Sequence, residues 1–201
     1  MAAELELLAD DPKRALIASA AIDVFSARGF SGTSMSHIAR QAGMSRPALY
    51  QYFQNKGDIF ACAFAALVEQ QADRALEALE ELGTVSEQLD GFLQNFDGAF
   101  WERTAASPYG EELLSATSEY APKAVGIEMR RIRRRLEKYL RRVGTGQRSA
   151  ADRARRNGWI DMLEFAPRGF KLDRPTLNAY RLRLTALAES VASDIEANRA
   201  S

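Results

Sequence analysis

A chain of 201 residues, 46% hydrophobic and 27% charged, has the size and balance of one compact domain or of a small head on a larger body. Its 27 Lys and Arg equal its 27 Asp and Glu, so net charge alone does not point to nucleic acid. A single cysteine, Cys62, excludes an internal disulfide, and the longest nearly apolar run, Ala61 to Val68, is far too short to cross a bilayer.

The chain opens on Glu4, Glu6, Asp10 and Asp11 with no basic lead. No secretory signal is expected, residues 1–11 read as a flexible arm, and a reducing cytoplasm suits the lone thiol. From Pro12 to Lys56 six basic residues (Lys13, Arg14, Arg28, Arg40, Arg46, Lys56) face one acid, Asp23. Such a local excess is what a phosphate-facing module needs.

Punctuation and periodicity predict an all-α protein of about nine helices. The prolines fall where helices begin or end: Pro12, Pro108 and Pro122 before periodic segments, Pro47 and Pro175 in first turns, Pro167 after a helix end. The first helix, Lys13 to Arg28, should bury Leu16, Ala20, Val24 and Phe25 and stop at Gly29. Thr33 or Ser34 caps a second through Met35–Gln41, Ala42-Gly43-Met44 makes a turn, and Ser45 caps a third through Phe53. Two short helices around a three-residue glycine turn form a helix-turn-helix, whose second helix can enter a major groove.

In that unit Ile38, Ala39, Met44, Leu49 and Phe53 can pack inward. Ser45, Arg46, Pro47, Tyr50, Gln51 and Tyr52 stay on the exposed end and side of the third helix. Arg46 offers a forked donor to guanine, and Gln51 could address adenine. Tyrosine hydroxyls, Thr33, Ser34, Ser36 and Lys56 suit phosphate. Asn55-Lys56-Gly57-Asp58 opens the fourth helix as a capping box with Asp where Glu or Gln is usual.

Apolar stripes follow. They comprise Phe60, Phe64, Leu67, Ala75, Leu79 and Leu82, interrupted by Gln71; Val85, Leu89, Phe92, Phe96 and Phe100; Val125, Met129, Ile132, Leu136, Tyr139 and Val143; and Leu177, Tyr180, Leu184, Leu187, Val191 and Ile195. Gly144-Thr145-Gly146 reads as a loop and not as a nucleotide fingerprint. Phe92, Phe96, Phe100, Trp101, Met129, Trp159, Met162, Leu163 and Phe165 could line an apolar pocket, with Gly91 and Gly98 leaving space beside the rings. Core packing explains the same residues equally well.

The run Thr33-Ser34-Met35-Ser36-His37-Ile38-Ala39-Arg40-Gln41-Ala42-Gly43-Met44-Ser45-Arg46-Pro47-Ala48-Leu49-Tyr50-Gln51-Tyr52-Phe53-Gln54-Asn55-Lys56 resembles the DNA-binding signature of the TetR family of bacterial regulators. Ala20, Ala21, Phe25, Gly29, Phe30 and Thr33 are similar to that family's first helix and the turn after it. The resemblance implies an N-terminal DNA-binding domain (12–56) and a C-terminal effector-binding and dimerisation domain (57–201). It further implies an all-helical homodimer and release from DNA on ligand binding. DNA contacts would come from Thr33, Ser34, Ser36, Ser45, Arg46, Pro47, Tyr50, Tyr52 and Lys56. His37 departs from the family, which often has an acid there, and so does Gly57, where Glu is common.

The partners expected are a double-stranded DNA operator, a second copy through helices near 151–166 and 175–198, and a small, largely apolar effector. No membrane, cofactor or metal is expected, since one His and one Cys offer no ligand pair. An enzyme has no motif in its favour. Cys62 reads as a buried small hydrophobe rather than a redox sensor, and His37 as a solvated helix residue. Lys123 to Arg142 holds nine basic residues against Glu128 and Glu137, extended by Arg148, Arg153, Arg155 and Arg156. These read as a solvated face, with an acidic effector or partner left open.

Overall fold

Asp11 starts the first helix by accepting the amides of Lys13 (2.9 Å) and Arg14 (3.4 Å), with Pro12 in the first turn. The structure, a computed structural model, describes residues 11–105, 107–144 and 149–199. Residues 1–10, most of the expected arm, and residues 145–148, which hold part of the expected loop and Arg148, lie outside the described residues.

Among the described residues there are nine helices and no strand. They are α1 (Pro12–Arg28), α2 (Met35–Gln41), α3 (Arg46–Tyr50), α4 (Lys56–Ala78), α5 (85–105), α6 (Gly110–Tyr120), α7 (Pro122–Val143), α8 (Ala150–Gly169) and α9 (Leu177–Arg199). α5 is α-helical over Val85–Leu93, π-helical over Gln94–Gly98 and α-helical again over Ala99–Ala105. Reciprocal capping boxes open α5 (Thr84 with Glu87) and α8 (Ser149 with Asp152).

The chain divides into two compact units. The first takes the described residues up to Gln70 together with Arg103–Ile127, and the second takes Gln71–Glu102 and Glu128 onward. The first unit thus takes in α4 up to Gln70 and α6. In the first unit Ile17, Ala21, Ile38, Leu49 and Ile59 are fully buried around Phe25, Phe53 and Phe60. In the second, Leu89, Leu93, Leu136, Leu140, Leu163, Tyr180 and Leu184 form the centre.

Five expectations are corrected. Leu16 is 54% exposed, because the buried face of α1 opens at Ile17, while Ala20, Val24 and Phe25 are buried as expected. α3 ends at Tyr50, and Phe53 reaches the core from the turn that follows. Leu82 is fully exposed, because α4 has already ended at Ala78. Pro167 lies inside α8, where its buried carbonyl accepts the Tyr180 hydroxyl at 3.2 Å. Gly91 and Gly98 leave no void, since a Cβ would sit 3.1 Å from Ala78 Cβ and 3.0 Å from Gln94 Oε1. Their smallness permits close helix packing.

Candidate nucleic-acid interface and internal cavity

Ser34 and Ser45 cap the two helices of the turn, each accepting the amide three residues on (His37 at 3.2 Å, Ala48 at 3.3 Å). Gly43, at φ 66°, closes α2 with open space around it. One side chain of α3, Leu49, is buried; Arg46, Pro47 and Tyr50 are exposed, as is Gln51 just beyond. Ser36 is exposed on α2. Arg46 donates to the Tyr50 hydroxyl at 3.2 Å and lies 5.6 Å over its ring. The pair forms a planar donor backed by an aromatic face, suited to a base edge or a phosphate.

Three residues expected at this surface are engaged within the protein. Thr33 is buried and donates its hydroxyl to the Gly29 carbonyl at 2.6 Å. Tyr52 is half-buried, and its carbonyl accepts from Arg14 at 2.6 Å. Lys56 points its ammonium at the carbonyls of Phe30 (2.7 Å), Thr33 (3.1 Å) and Ser31 (3.4 Å), with the Phe30 ring 4.5 Å away. It thus fastens the start of α4 to the turn between α1 and α2. Lys56→Met keeps the stem but strips these bonds, and should lower stability by about 1–3 kcal/mol in a urea titration. An unchanged midpoint would restore Lys56 to a phosphate-only role.

Sequence reasoning missed two supports of this surface. Arg14 lies over the Phe53 ring at 4.2 Å while bonding Tyr52, so α1 holds the turn after α3. Glu112 on α6 accepts the Ser31 amide at 2.6 Å, and hydrogen bonding from Ser31 lowers its pKa. A carboxylate some eighty residues distant in sequence carries no local signal. The expected box at Asn55 is half formed. Asn55 Oδ1 accepts the Asp58 amide at 3.0 Å, but the Asp58 carboxylate accepts from the Asn55 side chain and not from its backbone. Cys62 is buried, as expected, and burial raises its thiol to about 11 against the opposing pull of Arg14.

The second unit contains a cavity of about 40 Å³. Phe92, Phe96, Met129 and Leu163, four of the residues expected at a pocket, line it together with Asp97, Arg133, Glu164 and Arg168. Five other expected residues lie elsewhere, among them Phe165, which is 49% exposed. Trp159 is buried and donates its indole N–H to Asp194 at 2.7 Å. Met162 is 44% exposed, Trp101 packs on Tyr180, and Phe100 faces Lys171. Asp97 was missed for a geometric reason. A π-turn bonds residues five apart, bringing Asp97 to the same wall as Phe92, whereas an unbroken α-helix would turn it aside.

Arginines of α7 do more than face water. Arg133 bonds Asp161 (2.9 Å) and Glu164 (2.7 Å), Arg131 bonds Glu128 (2.9 Å) and Asp73, and Arg142 bonds Glu80 (2.5 Å). The basic run is thus partly internal ion-pair wiring. Among the described residues no helix is long and apolar enough to cross a membrane, and no group of three metal-ligating side chains converges.

Residues 17–63 match the family described as bacterial regulatory proteins, tetR family. The fatty acid metabolism regulator protein of Bacillus subtilis is 36% identical over 78 residues, which is 39% of this chain and 40% of that protein. The regulator AcrR of Shigella flexneri is 42% identical over 45 residues, 22% of this chain and 21% of its own. The chain thus spans two fifths or less of the length of these curated relatives. A TetR-family regulator from Pectobacterium atrosepticum superimposes with a TM-score of 0.63, covering 97% of both chains at 20% identity. The TetR family repressor AlkX from Dietzia does so at 0.58, covering 94% of this chain and 97% of its own at 20% identity. These two show a shared fold. Residues 17–63 thus match the tetR family's model, in a chain that shares its overall fold with these two regulators.

Proposed function

We propose that the protein is a homodimeric transcriptional repressor of the bacterial cytoplasm that grips a palindromic operator through α3 and is released by a small ligand in its second unit. The observation that carries this reading is the outward face of Arg46, Pro47, Tyr50 and Gln51 on a short helix anchored by one buried leucine. Ser34, Ser36 and Ser45 flank it with exposed hydroxyls, while Thr33, Tyr52 and Lys56 brace the turns behind it. In this division of labour 12–56 reads DNA, and 57–201 pairs the subunits and takes the effector.

Exposed Met162 and Phe165 on α8 and Leu182 on α9 (44, 49 and 62%) support a second copy as the partner of those helices. Two-fold pairing would present two α3 helices to major grooves roughly 34–36 Å apart. An effector shifts this arrangement by its difference in affinity for the bound and released states. A relative from Mycolicibacterium smegmatis, FasR, is a transcriptional activator, 33% identical over 69 residues. Activation is therefore the second reading.

Arg46→Ala tests the assignment. Its affinity for the operator should fall by on the order of 1–3 kcal/mol while its affinity for scrambled DNA changes little, measured by fluorescence anisotropy at fixed salt. Equal loss on both sequences would remove Arg46 from base reading. Failure to bind any fragment of the source genome, even in dilute salt, would overturn the regulator itself.

A further inference from the structure

We infer that the second unit contains an ammonium-binding site, occupied in this structure by its own Lys171, and that the effector class it admits is an aliphatic primary amine with an apolar body. The inference rests on the proposed ligand-responsive reading and names the chemistry of that ligand.

The site is built from three elements. Asp97, carried by the π-helical segment of α5, places Oδ1 3.2 Å from Lys171 Nζ. The rings of Phe100 and Tyr180 each present a face to the same ammonium, with centroids 5.3 Å away. A carboxylate and two aromatic faces around one cation form the arrangement by which proteins recognise amines. The carboxylate also lines the cavity, so the cation site and the ring-lined space share Asp97 as a common wall. Burial raises the Asp97 pKa, with Lys171 and then Arg168 opposing.

Lys171 is fixed through its backbone, its amide donating to the Arg168 carbonyl at 3.3 Å and its carbonyl accepting the Arg174 amide at 3.0 Å, so its side chain can leave Asp97 without moving the chain. It lies in the turn after α8, where the next residue, Leu172, is 86% exposed and Arg174 has a left-handed φ of 51°. The turn is also held by Arg183, which bonds the Phe170 carbonyl and the Asp173 carboxylate. The Lys171 side chain is chemically a tethered butylamine. A free amine of similar length can take its place on Asp97 while Lys171 turns out to solvent, and the tail continues into the space beside Phe92 and Phe96. As found, about 40 Å³ admits little beyond water, so the methylenes vacated by Lys171 supply the remaining room.

Alternative polar ends fit less well. Arg133 is already bonded to two carboxylates, and Arg168 lies exposed over the Phe165 ring. An anionic head would also have to share the cavity with Asp97 and Glu164.

The test uses the full chain and calorimetric titration with n-butylamine, n-hexylamine, and the matching alcohols and carboxylates. In Lys171→Ala the slot is empty, and n-butylamine should bind at least about tenfold tighter than to the unaltered protein, because it no longer competes with a tethered cation. Asp97→Asn should weaken n-hexylamine about ten- to a hundredfold, from loss of one charge-assisted bond. If Asp97→Asn fails to fold, the alanine variant still decides. Alcohol or carboxylate binding as tightly as amine in Lys171→Ala would overturn the inference, as would no binding of any probe. Operator affinity is read in parallel. Release by hexanoate and not by hexylamine would sink the amine class and leave the regulator standing. Absence of operator binding would sink the regulator, with the amine titration still deciding the site.

Discussion

Leu49→Ala is expected to abolish the surface proposed to face DNA while leaving its polar residues untouched. Leu49 is the one buried side chain of a five-residue helix and is fully enclosed. A helix of that length cannot hold itself by backbone bonds, since nucleation is unfavourable and few turns follow to offset it. Its position comes from Leu49 packing among Ile17, Ile38 and Phe53 in the head. Truncating such a leucine costs about 2–5 kcal/mol, depending on how far neighbours collapse into the space. That is a large share of the about 5–15 kcal/mol that stabilises a typical domain. A urea titration should show the loss, and amide exchange across residues 46–53 should accelerate most. DNA affinity should fall for every sequence alike, in contrast with Arg46→Ala. Tyr50→Ala, at a side chain 43% exposed, should change stability by about 0.5 kcal/mol or less. Similar midpoints for the Leu49 and Tyr50 variants would contradict the anchoring role.

Gly29→Ala should be comparably severe through backbone and sterics together. Gly29 ends α1 at φ 69° and ψ 175°, a region nearly closed to residues with a Cβ. That conformation alone costs about 1–3 kcal/mol for alanine. The added methyl would also meet the Glu112 carboxylate and come within 2.8 Å of Tyr109 Cδ1. Overpacking of this kind typically adds about 1–3 kcal/mol. Shifting Glu112 aside would break its bond to the Ser31 amide, and Thr33 depends on the Gly29 carbonyl. Gly43 is the control. Its φ of 66° is also left-handed, but nothing lies within 4 Å of the place a methyl carbon would take, so Gly43→Ala should cost about 1 kcal/mol. Equal destabilisation at the two positions would mean that crowding at Gly29 is relieved without cost.

Most of the fold was legible because its punctuation is local. Ser34, Ser45, Gly29 and Gly43 act within four residues of themselves, so the turn and both short helices can be read from spacing. The inward positions of that unit follow from the same period. Legibility failed where the cause is non-local or breaks the period. Leu16 and Ile17 are equally apolar neighbours, and which one faces inward depends on what α1 packs against. Lys56 looks like a phosphate ligand in sequence, yet the nearest acceptors are three carbonyls more than twenty residues earlier. Asp97 sat off the predicted stripe because a 3.6-residue repeat was carried through a segment that winds differently. Likewise, the arginines of α7 were read as a water-facing stripe, whereas Arg131 and Arg133 also reach carboxylates on α4 and α8, and Arg142 reaches Glu80 just past the end of α4.

The shortness of α3 separates two selective pressures that most binding surfaces combine. Because enclosure falls on position 49 alone, the neighbours at 46, 47 and 50 can be exchanged with little penalty to folding. On the proposed reading, single substitutions at these positions change what is recognised and leave the scaffold sound. Diversification of that recognition would then be limited by what a genome offers to read, and not by what the polypeptide can tolerate.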